Sequence, residues 1–181
     1  NRFIEPSLIK RIVESVYVGP SYSDEYIKKF LESNNIKYET LDRISLLSKT
    51  AKLISEGNVV GWYQGKMEWG PRALGNRSIL ADPRRADMKD ILNEKIKHRE
   101  SFRPFAPSIL EEHVFEYFDI DRPSPYMLMV APVKKPQDIP AVTHIDGTGR
   151  LQTVSKEANP LYYDLISEFY KLTGVPVVIN T

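Results

Sequence analysis

Lys66-Met67-Glu68-Trp69-Gly70-Pro71-Arg72-Ala73-Leu74-Gly75-Asn76-Arg77-Ser78 is the stretch on which the reading of this chain turns, and Lys97-His98-Arg99-Glu100-Ser101-Phe102-Arg103-Pro104-Phe105 answers it some twenty-five residues later. Gly70, Pro71 and Gly75 shape the first stretch into a loop that carries Arg72 and Arg77. Lys97, Arg99 and Arg103 recur on the second. Between Lys66 and Arg103 there are ten Lys/Arg against six Asp/Glu, a net +4 in a chain whose total is +1, so cationic charge is concentrated here. Arginines on loops shaped by Gly and Pro suit planar, bidentate recognition of phosphate or carboxylate. The pattern points to an anion site for a small phosphorylated substrate.

Outward from these loops the chain alternates helix and strand signals. Val59–Tyr63 reads as a buried strand entering the first loop and Ser78–Ala81 as the strand leaving it. The helix expected over 86–97 turns Met88, Ile91, Leu92 and Ile96 inward before releasing the second loop. Upstream, Val16–Val18 is a short strand. Ser23 N-caps a helix with Asp24 and Glu25 in its first turn and a stripe of Tyr26, Ile27, Phe30 and Leu31. A strand at Ile36–Leu41 and a helix at 45–56 ending at Gly57 follow. Downstream, Phe105–Leu110 is extended and Glu111–Phe118 helical, Tyr126–Val133 is a core strand, and 134–140 is a surface loop. Ala141–His144 and Leu151–Val154 pair around the turn Asp146–Gly149. A last helix from Pro160 turns Tyr162, Leu165, Ile166, Phe169 and Leu172 inward and ends at Gly174, before the closing strand Val175–Asn180. Hairpins mixed with crossovers imply an α/β domain of the α+β type, a mixed twisted sheet flanked by helices.

Bulk properties narrow the classes. A chain of 181 residues is one domain's worth, and 41% hydrophobic with 27% charged residues is the composition of a globular protein. No apolar run approaches the ~20 residues that span a bilayer. With no cysteine there is neither a disulfide framework nor a thiolate metal site, which fits a cytoplasmic home. A near-balanced charge argues against a general nucleic-acid binder. The start at Asn1 and the stop at Thr181, directly after an apolar run, are expected of a piece of something longer.

The candidate site residues follow from their settings. Arg72 and Arg77 lie among Trp69, Pro71, Ala73 and Leu74, too apolar a stretch for freely solvated cations, and each needs an anion: a ligand phosphate, or internally Glu68 or Asp82. Lys97, Arg99 and Arg103 form a second wall, with Glu94 and Glu100 as the alternative internal partners. Arg84, Arg85 and Lys89 read as a solvated face. His144, Asp146 and Arg150 bracket a Gly-rich turn at the mouth of the pocket; one His and one carboxylate are too few for a metal. His98 and His113 read as surface histidines. Asn180 and Thr181 end the last strand, where α/β folds commonly bind ligands. There is no Ser-His-Asp arrangement, Walker-type loop or paired-carboxylate motif, which fits chemistry run by positioning and charge neutralisation. Trp62, Trp69, Phe102 and Phe105, interleaved with the basic loops, keep a base-stacking RNA module as one alternative. A domain that mainly supports a partner domain is another.

Four blocks carry a family resemblance: Gly65–Arg84, Arg99–Ser108, Thr143–Val154 and Thr173–Thr181. Together with Tyr17-Val18-Gly19-Pro20 they resemble, in order and over nearly the whole chain, the C-terminal domain of the NodU/TobZ-type O-carbamoyltransferases. The resemblance implies a YrdC-like fold across 1–181, as one domain of a longer two-domain protein. It implies binding of carbamoyl phosphate and of ATP as co-substrate, with Mg2+, to make carbamoyl-adenylate. An N-terminal catalytic domain would then pass the carbamoyl group to a hydroxyl of a sugar or other natural product. Arg72, Arg99 and Arg103 would be the catalytic cations, and Lys66, Arg77, Lys97, His144, Asp146, Arg150, Asn180 and Thr181 would bind substrate or nucleotide. No membrane association or tightly bound cofactor is implied, and a homodimer is compatible with it. Gly149 stands where relatives often have Ala, and the Ser-Phe-Asn that continues the closing strand in relatives lies beyond Thr181.

Overall fold

Val177-Val178-Ile179-Asn180, four buried residues in a row, form the strand around which the rest is laid. Alternation along a strand sends Val178 to one face of the sheet and Val177 and Ile179 to the other, and each face has its own core. The computed structural model describes residues 15–181. Its elements in chain order are α1 (Asp24–Ser33), α2 (Arg43–Ser55), β1 (Val60–Tyr63), β2 (Arg77–Ala81), α3 (Met88–Ile91, continued as a π-helical turn Leu92–Lys97), β3 (Ala106–Leu110), α4 (Val114–Tyr117), β4 (Met129–Pro132), β5 (Thr148–Val154), α5 (Pro160–Thr173) and β6 (Val177–Asn180). The strands lie in the order β1-β2-β6-β3-β5-β4. β3 and β5 run parallel and the other neighbours antiparallel, giving the mixed sheet flanked by helices that the sequence implies.

One face is covered by α2 and α5. Leu47, Ala51 and Ile54 of α2 and Tyr162, Leu165, Ile166 and Phe169 of α5 pack with Trp62, Leu80, Leu110, Val154 and Val178. The other face is covered by α3, α4 and the turn at Pro140–Val142. It buries Met88, Leu92, Val114, Phe118 and Val142 against Ala81, Ile109, Leu151, Val177 and Ile179. Burying each such side chain is worth about 1.5–3 kcal/mol, which is why the apolar spacing dominates local preference. The helix starts are capped as their residues dictate. Ser23 accepts from the Tyr26 N–H, Asp42 from the Ser45 N–H at 3.0 Å, and Asn159 from the Tyr162 N–H, with Pro160 in the first turn. Gly174 ends α5 in the left-handed conformation.

Several expected elements come out differently. Among the described residues no strand pairs with Ile36–Leu41, which is coil and exposed up to Thr40. Val16–Val18 is reduced to a bridge between Tyr17 and Glu68. Val60–Tyr63 and Met129–Pro132 are the two edges of the sheet, so of their residues only Trp62 and Ala131 are buried. Ala141–His144 is not a strand: Pro140–Val142 forms a 3-10 turn, and Thr143 and His144 lead on toward β5. The helix over 86–97 widens to π geometry at Leu92, because the Asn93 carbonyl accepts from the N–H groups of both His98 and Arg99; Ile96 thereby faces outward. Leu172 and the Tyr26, Ile27 and Phe30 stripe are likewise exposed.

Two glycines are the sharpest local constraints. Gly75 has φ +100°, and a Cβ there would lie 2.2 Å from the Tyr162 ring; Gly174 has φ +71° but open space around it. Gly174→Ala should therefore cost about 1–2 kcal/mol, the left-handed penalty alone, whereas Gly75→Ala adds overpacking and should cost about 3 kcal/mol or more. Urea denaturation of the two variants checks this, and equal losses would contradict it.

Candidate functional site

The loop between β1 and β2 is built around a buried carboxylate. Glu68 Oε1 accepts from the backbone N–H groups of Leu74, Asn76 and Arg77 at 2.8, 2.7 and 3.0 Å. Gly70 and Gly75, both at positive φ, let the chain double back to make those bonds. Amides tie the loop down at several points. Asn76 Oδ1 accepts from Gln64 at 2.9 Å and from Asn159 at 2.8 Å, and its own amide donates to the Lys66 carbonyl at 2.8 Å. Tyr17 donates its hydroxyl to the Leu74 carbonyl at 2.9 Å. From the sheet, Gln152 also donates to the Leu74 carbonyl, and the Asn180 amide nitrogen lies 3.0 Å from each of the Ala73 carbonyl, Ser108 Oγ and Gln152 Oε1. Buried polar groups of this kind are costly unless paired, and the pairing leaves the loop one conformation.

The second loop has a comparable anchor in Asn93, which is fully buried. Its amide donates to the carbonyls of Ser101 and Arg103 at 3.2 and 2.9 Å, and its Oδ1 accepts from Arg99 Nε at 2.7 Å. Arg99 also lies over the Phe105 ring, 4.8 Å from its centroid. His98, at φ +48°, makes the left-handed step that turns the chain out of the π-helical segment.

Between the two loops, at one end of the sheet, lies a cavity of about 630 Å³. Arg72, Arg77, Lys97, Arg99 and Arg150 all line it, and no Asp or Glu is among its described lining residues. A neighbouring cavity of about 350 Å³ shares Arg99 and Arg150 and adds Arg103 and His144. The cations lie close enough to one another for their electrostatics to be coupled. Burial, then the nearby Arg99, holds the Lys97 ammonium below the usual lysine range. Burial, then Arg103, lowers Arg99 against the opposing pull of Glu100, and burial, then Arg72, lowers Arg150. Arg150 Nε is buried with no acceptor. Burial also lowers the His144 pKa, with Asp146 opposing.

The structure thus brings Arg72, Arg77, Lys97, Arg99, Arg150, Asn180 and Thr181 to one cavity and Arg103 and His144 to the next. Lys66 and Asp146 line neither. Lys66 is exposed, and Asp146 accepts from the Thr148 N–H and hydroxyl, which makes it a former of the turn. Arg77 sits 3.9 Å from Glu68 and donates to the Gly70 carbonyl at 3.3 Å, so its internal partner is present but loose. Arg103 pairs with Glu100 at 3.0 Å, both half-exposed. Arg84 is not a solvated cation: it clamps the buried Asp82 in a bidentate pair and reaches the Ser55 carbonyl. Of the aromatics considered for base stacking, Trp62 and Phe105 are buried, which leaves Trp69 and Phe102 on the surface.

Sequence reasoning did not single out Glu68, Asn76, Asn93, Gln152 or Asn159 as parts of the site. The available signal is polar side chains inside otherwise apolar strands, as at Ser108 and Gln152; Asn93 lies off the helix's apolar stripe and gives none. Among the described residues no cluster of three or more His, Cys, Asp or Glu could hold a metal. The Mg2+ that the resemblance implies therefore finds no carboxylate in either cavity lining. No helix among the described residues is long and apolar enough to cross a membrane.

A family model described as the carbamoyltransferase C-terminus matches residues 51–181. The chain is 46% identical over 177 residues to the nodulation protein NolNO of Sinorhizobium fredii, covering 93% of this chain and 26% of that protein. It is 46% identical over 128 residues to the 3'-hydroxymethylcephem-O-carbamoyltransferase of Amycolatopsis lactamdurans, covering 71% and 24%. The chain thus spans about a quarter of these relatives' length. In fold it resembles the P. abyssi Sua5 structure complexed with L-threonine (TM-score 0.53, 16% identity, 78% of this chain and 39% of that one). It also resembles full-length HypF in its phosphate- and nucleotide-bound form (TM-score 0.51, 16% identity, 91% and 23%).

Asn93 generates a direct test of the site's construction. Asn93→Ala leaves two loop carbonyls and Arg99 without their partner, which should cost about 2–3 kcal/mol of stability. It should also weaken inorganic pyrophosphate binding at least severalfold, read by calorimetric titration below the melting transition. Unchanged pyrophosphate affinity in a folded variant would remove Asn93 as the positioner of Arg99.

Proposed function

Because the chain belongs to the carbamoyltransferase C-terminal family, we propose that its cationic cleft binds carbamoyl phosphate and ATP and forms carbamoyl-adenylate for transfer to a hydroxyl acceptor. The observation that carries this reading is the convergence of five cationic side chains, three of them held below their usual pKa range, on a cavity with no carboxylate among its described lining residues. An anionic ligand supplies the missing charge. The HypF structure, similar in fold, holds phosphate and nucleotide, which supports the same ligand classes here.

The chemistry asked of the cleft is balanced as follows. Carbamoyl phosphate loses its phosphoryl group to water, leaving carbamate and phosphate. A carbamate oxygen then attacks the α-phosphorus of ATP, the bond from that phosphorus to its bridging oxygen breaks, and pyrophosphate departs. Charge builds on non-bridging oxygens and on the leaving group, where fixed guanidinium and ammonium groups stabilise it without reorganising. Arg99, locked by Asn93 and Phe105, is the best pre-positioned of these groups, and Arg72, Lys97 and Arg150 complete the clamp. Transfer to the acceptor hydroxyl falls to the part of the longer relatives that this chain does not span.

Arg72 and Arg85 separate the clamp from ordinary surface charge, since Arg85 is paired with Asp87 in solvent. Arg72→Ala should lose about ten- to a hundredfold in carbamoyl phosphate affinity, the worth of one charge-assisted hydrogen bond. Arg85→Ala should lose little; equal losses in the two titrations would refute the assignment. The chain should also exchange labelled pyrophosphate into ATP when carbamoyl phosphate is present, yet yield no O-carbamoyl product with a hydroxyl acceptor. Product from these 181 residues alone would place the acceptor chemistry in the wrong part of the protein.

A further inference from the structure

His144 is held in a way that fixes which of its ring nitrogens carries the proton. Its backbone N–H donates to the Thr148 carbonyl at 2.7 Å, and its carbonyl accepts from the Gly147 N–H at 3.0 Å, so the residue is clamped at the base of its turn. Inside that turn Asp146 Oδ1 accepts from the Thr148 N–H at 3.0 Å and from the Thr148 hydroxyl at 2.7 Å. Those bonds hold the Asp146 carboxyl below the usual carboxylate range, so at neutral pH it is ionised and cannot donate. Thr148 has one hydroxyl proton, and it goes to Asp146.

His144 Nδ1 lies 3.1 Å from Thr148 Oγ1. With the hydroxyl proton already committed, Oγ1 can only accept, so Nδ1 carries the imidazole proton and Nε2 the lone pair. Among the described residues the ring's one hydrogen bond is that through Nδ1. The ring lines the smaller cavity with Arg99, Arg103 and Arg150, and no Asp or Glu is among that cavity's described lining residues. Burial first, then Arg150 and Lys89, hold the His144 pKa below the ordinary 6.5 against the pull of Asp146, so the ring is neutral at pH 7.

A neutral imidazole with a free lone pair, beside three guanidinium groups that attract a phosphate, can activate water against a phosphoryl group. The reaction proposed for the cleft has one step that needs such a base. Adenylation uses carbamate, whose attacking oxygen is already an anion. Hydrolysis of carbamoyl phosphate uses water, which must give up a proton. The smaller cavity shares Arg99, Pro104, Phe105 and Arg150 with the larger one, so carbamate released there is beside the cavity in which ATP would be attacked.

Resting on the reading of the cleft as a carbamoyl phosphate and ATP site, we propose that His144 is the general base of its first step and that Thr148 and Asp146 are the positioning residues that set its tautomer. Nε2 takes a proton from water as the water oxygen bonds to phosphorus. The bond from phosphorus to the carbamoyl oxygen breaks, and its electron pair leaves on carbamate. Arg99, Arg103 and Arg150 hold the phosphoryl oxygens meanwhile, and the proton on Nε2 passes to phosphate or solvent before the next turnover.

Exchange of labelled pyrophosphate into ATP, driven once by carbamoyl phosphate and once by ammonium bicarbonate, whose solutions contain carbamate, isolates that step, because supplied carbamate needs no hydrolysis. His144→Asn keeps an N–H near the Nδ1 position and removes Nε2. With carbamoyl phosphate it should lose about a hundredfold or more in kcat at little-changed KM, while the carbamate-driven exchange persists. In the wild type, kcat/KM for carbamoyl phosphate should fall as the pH drops through a value below 6.5, where His144 gains a proton; His144→Asn should lack that limb. Thr148→Val should show the same split to a smaller degree, and it decides the matter should His144→Asn fail to fold. If the wild type runs both exchanges and the folded variants keep both, or lose both alike, the base is wrong while the cleft reading stands. A raised KM at unchanged kcat also overturns it, since His144 would then only bind. If the wild type shows no exchange with carbamoyl phosphate, both fail.

Discussion

The carboxylate of Glu68 is the constraint on which the rest of the site depends. A buried carboxyl group accepting three backbone N–H groups from residues 74, 76 and 77 folds a thirteen-residue excursion back onto itself and delivers Arg77 in register into β2. With the loop so closed, the carbonyls of Ala73 and Leu74 reach Asn180 and Gln152 of the sheet, Gly75 seats against Tyr162, and Arg72 is held over the strand ends. Three backbone N–H groups aimed at one oxygen pair it inside the fold, and Arg77 comes no nearer than 3.9 Å to the other.

Sparing the cations from internal pairing is the second half of the design. Arg84 shows what a structural arginine looks like here: it is bidentate to buried Asp82, and its pKa is raised by that partner. Lys97, Arg99 and Arg150 show the reverse, with pKa values depressed by burial and then by a neighbouring cation: Arg99, Arg103 and Arg72 respectively. The fold spends neutral amides on orientation, Asn93 for Arg99 and Asn180 for the Ala73–Leu74 turn, so the charges themselves stay available to a ligand. Replacing water around such groups with an anion relieves both the desolvation and the mutual repulsion.

Much of this could be read from the residues. Two cation-bearing loops joined by one helix, the mixed sheet, the Ser23, Pro160 and Gly174 helix boundaries, and the apolar stripe of α5 all follow from spacing and composition. What the sequence hid has physical causes. Ile36–Leu41 alternates as a strand would, but among the described residues no neighbour offers a ladder. Tyr126–Val133 is apolar enough for a core and lies instead at an edge, because pairing partners are set by tertiary order rather than by the strand's own residues. The π-helical turn depends on Asn93 being drawn into a loop six to ten residues away, which no local periodicity records. Glu68 reads as a candidate ion partner for Arg72 or Arg77, and nothing in its spacing shows that it closes the loop on three backbone N–H groups instead.

The central claim is that the two loops hold a nucleotide's polyphosphate between Arg72, Lys97, Arg99 and Arg150. A crystal structure of the chain with a non-hydrolysable ATP analogue tests it most directly. The account predicts the triphosphate in the 630 Å³ cavity with oxygens within hydrogen-bond distance of Arg99 and Arg150. An analogue bound elsewhere, with that cavity filled by solvent and the arginines unmoved, would contradict it.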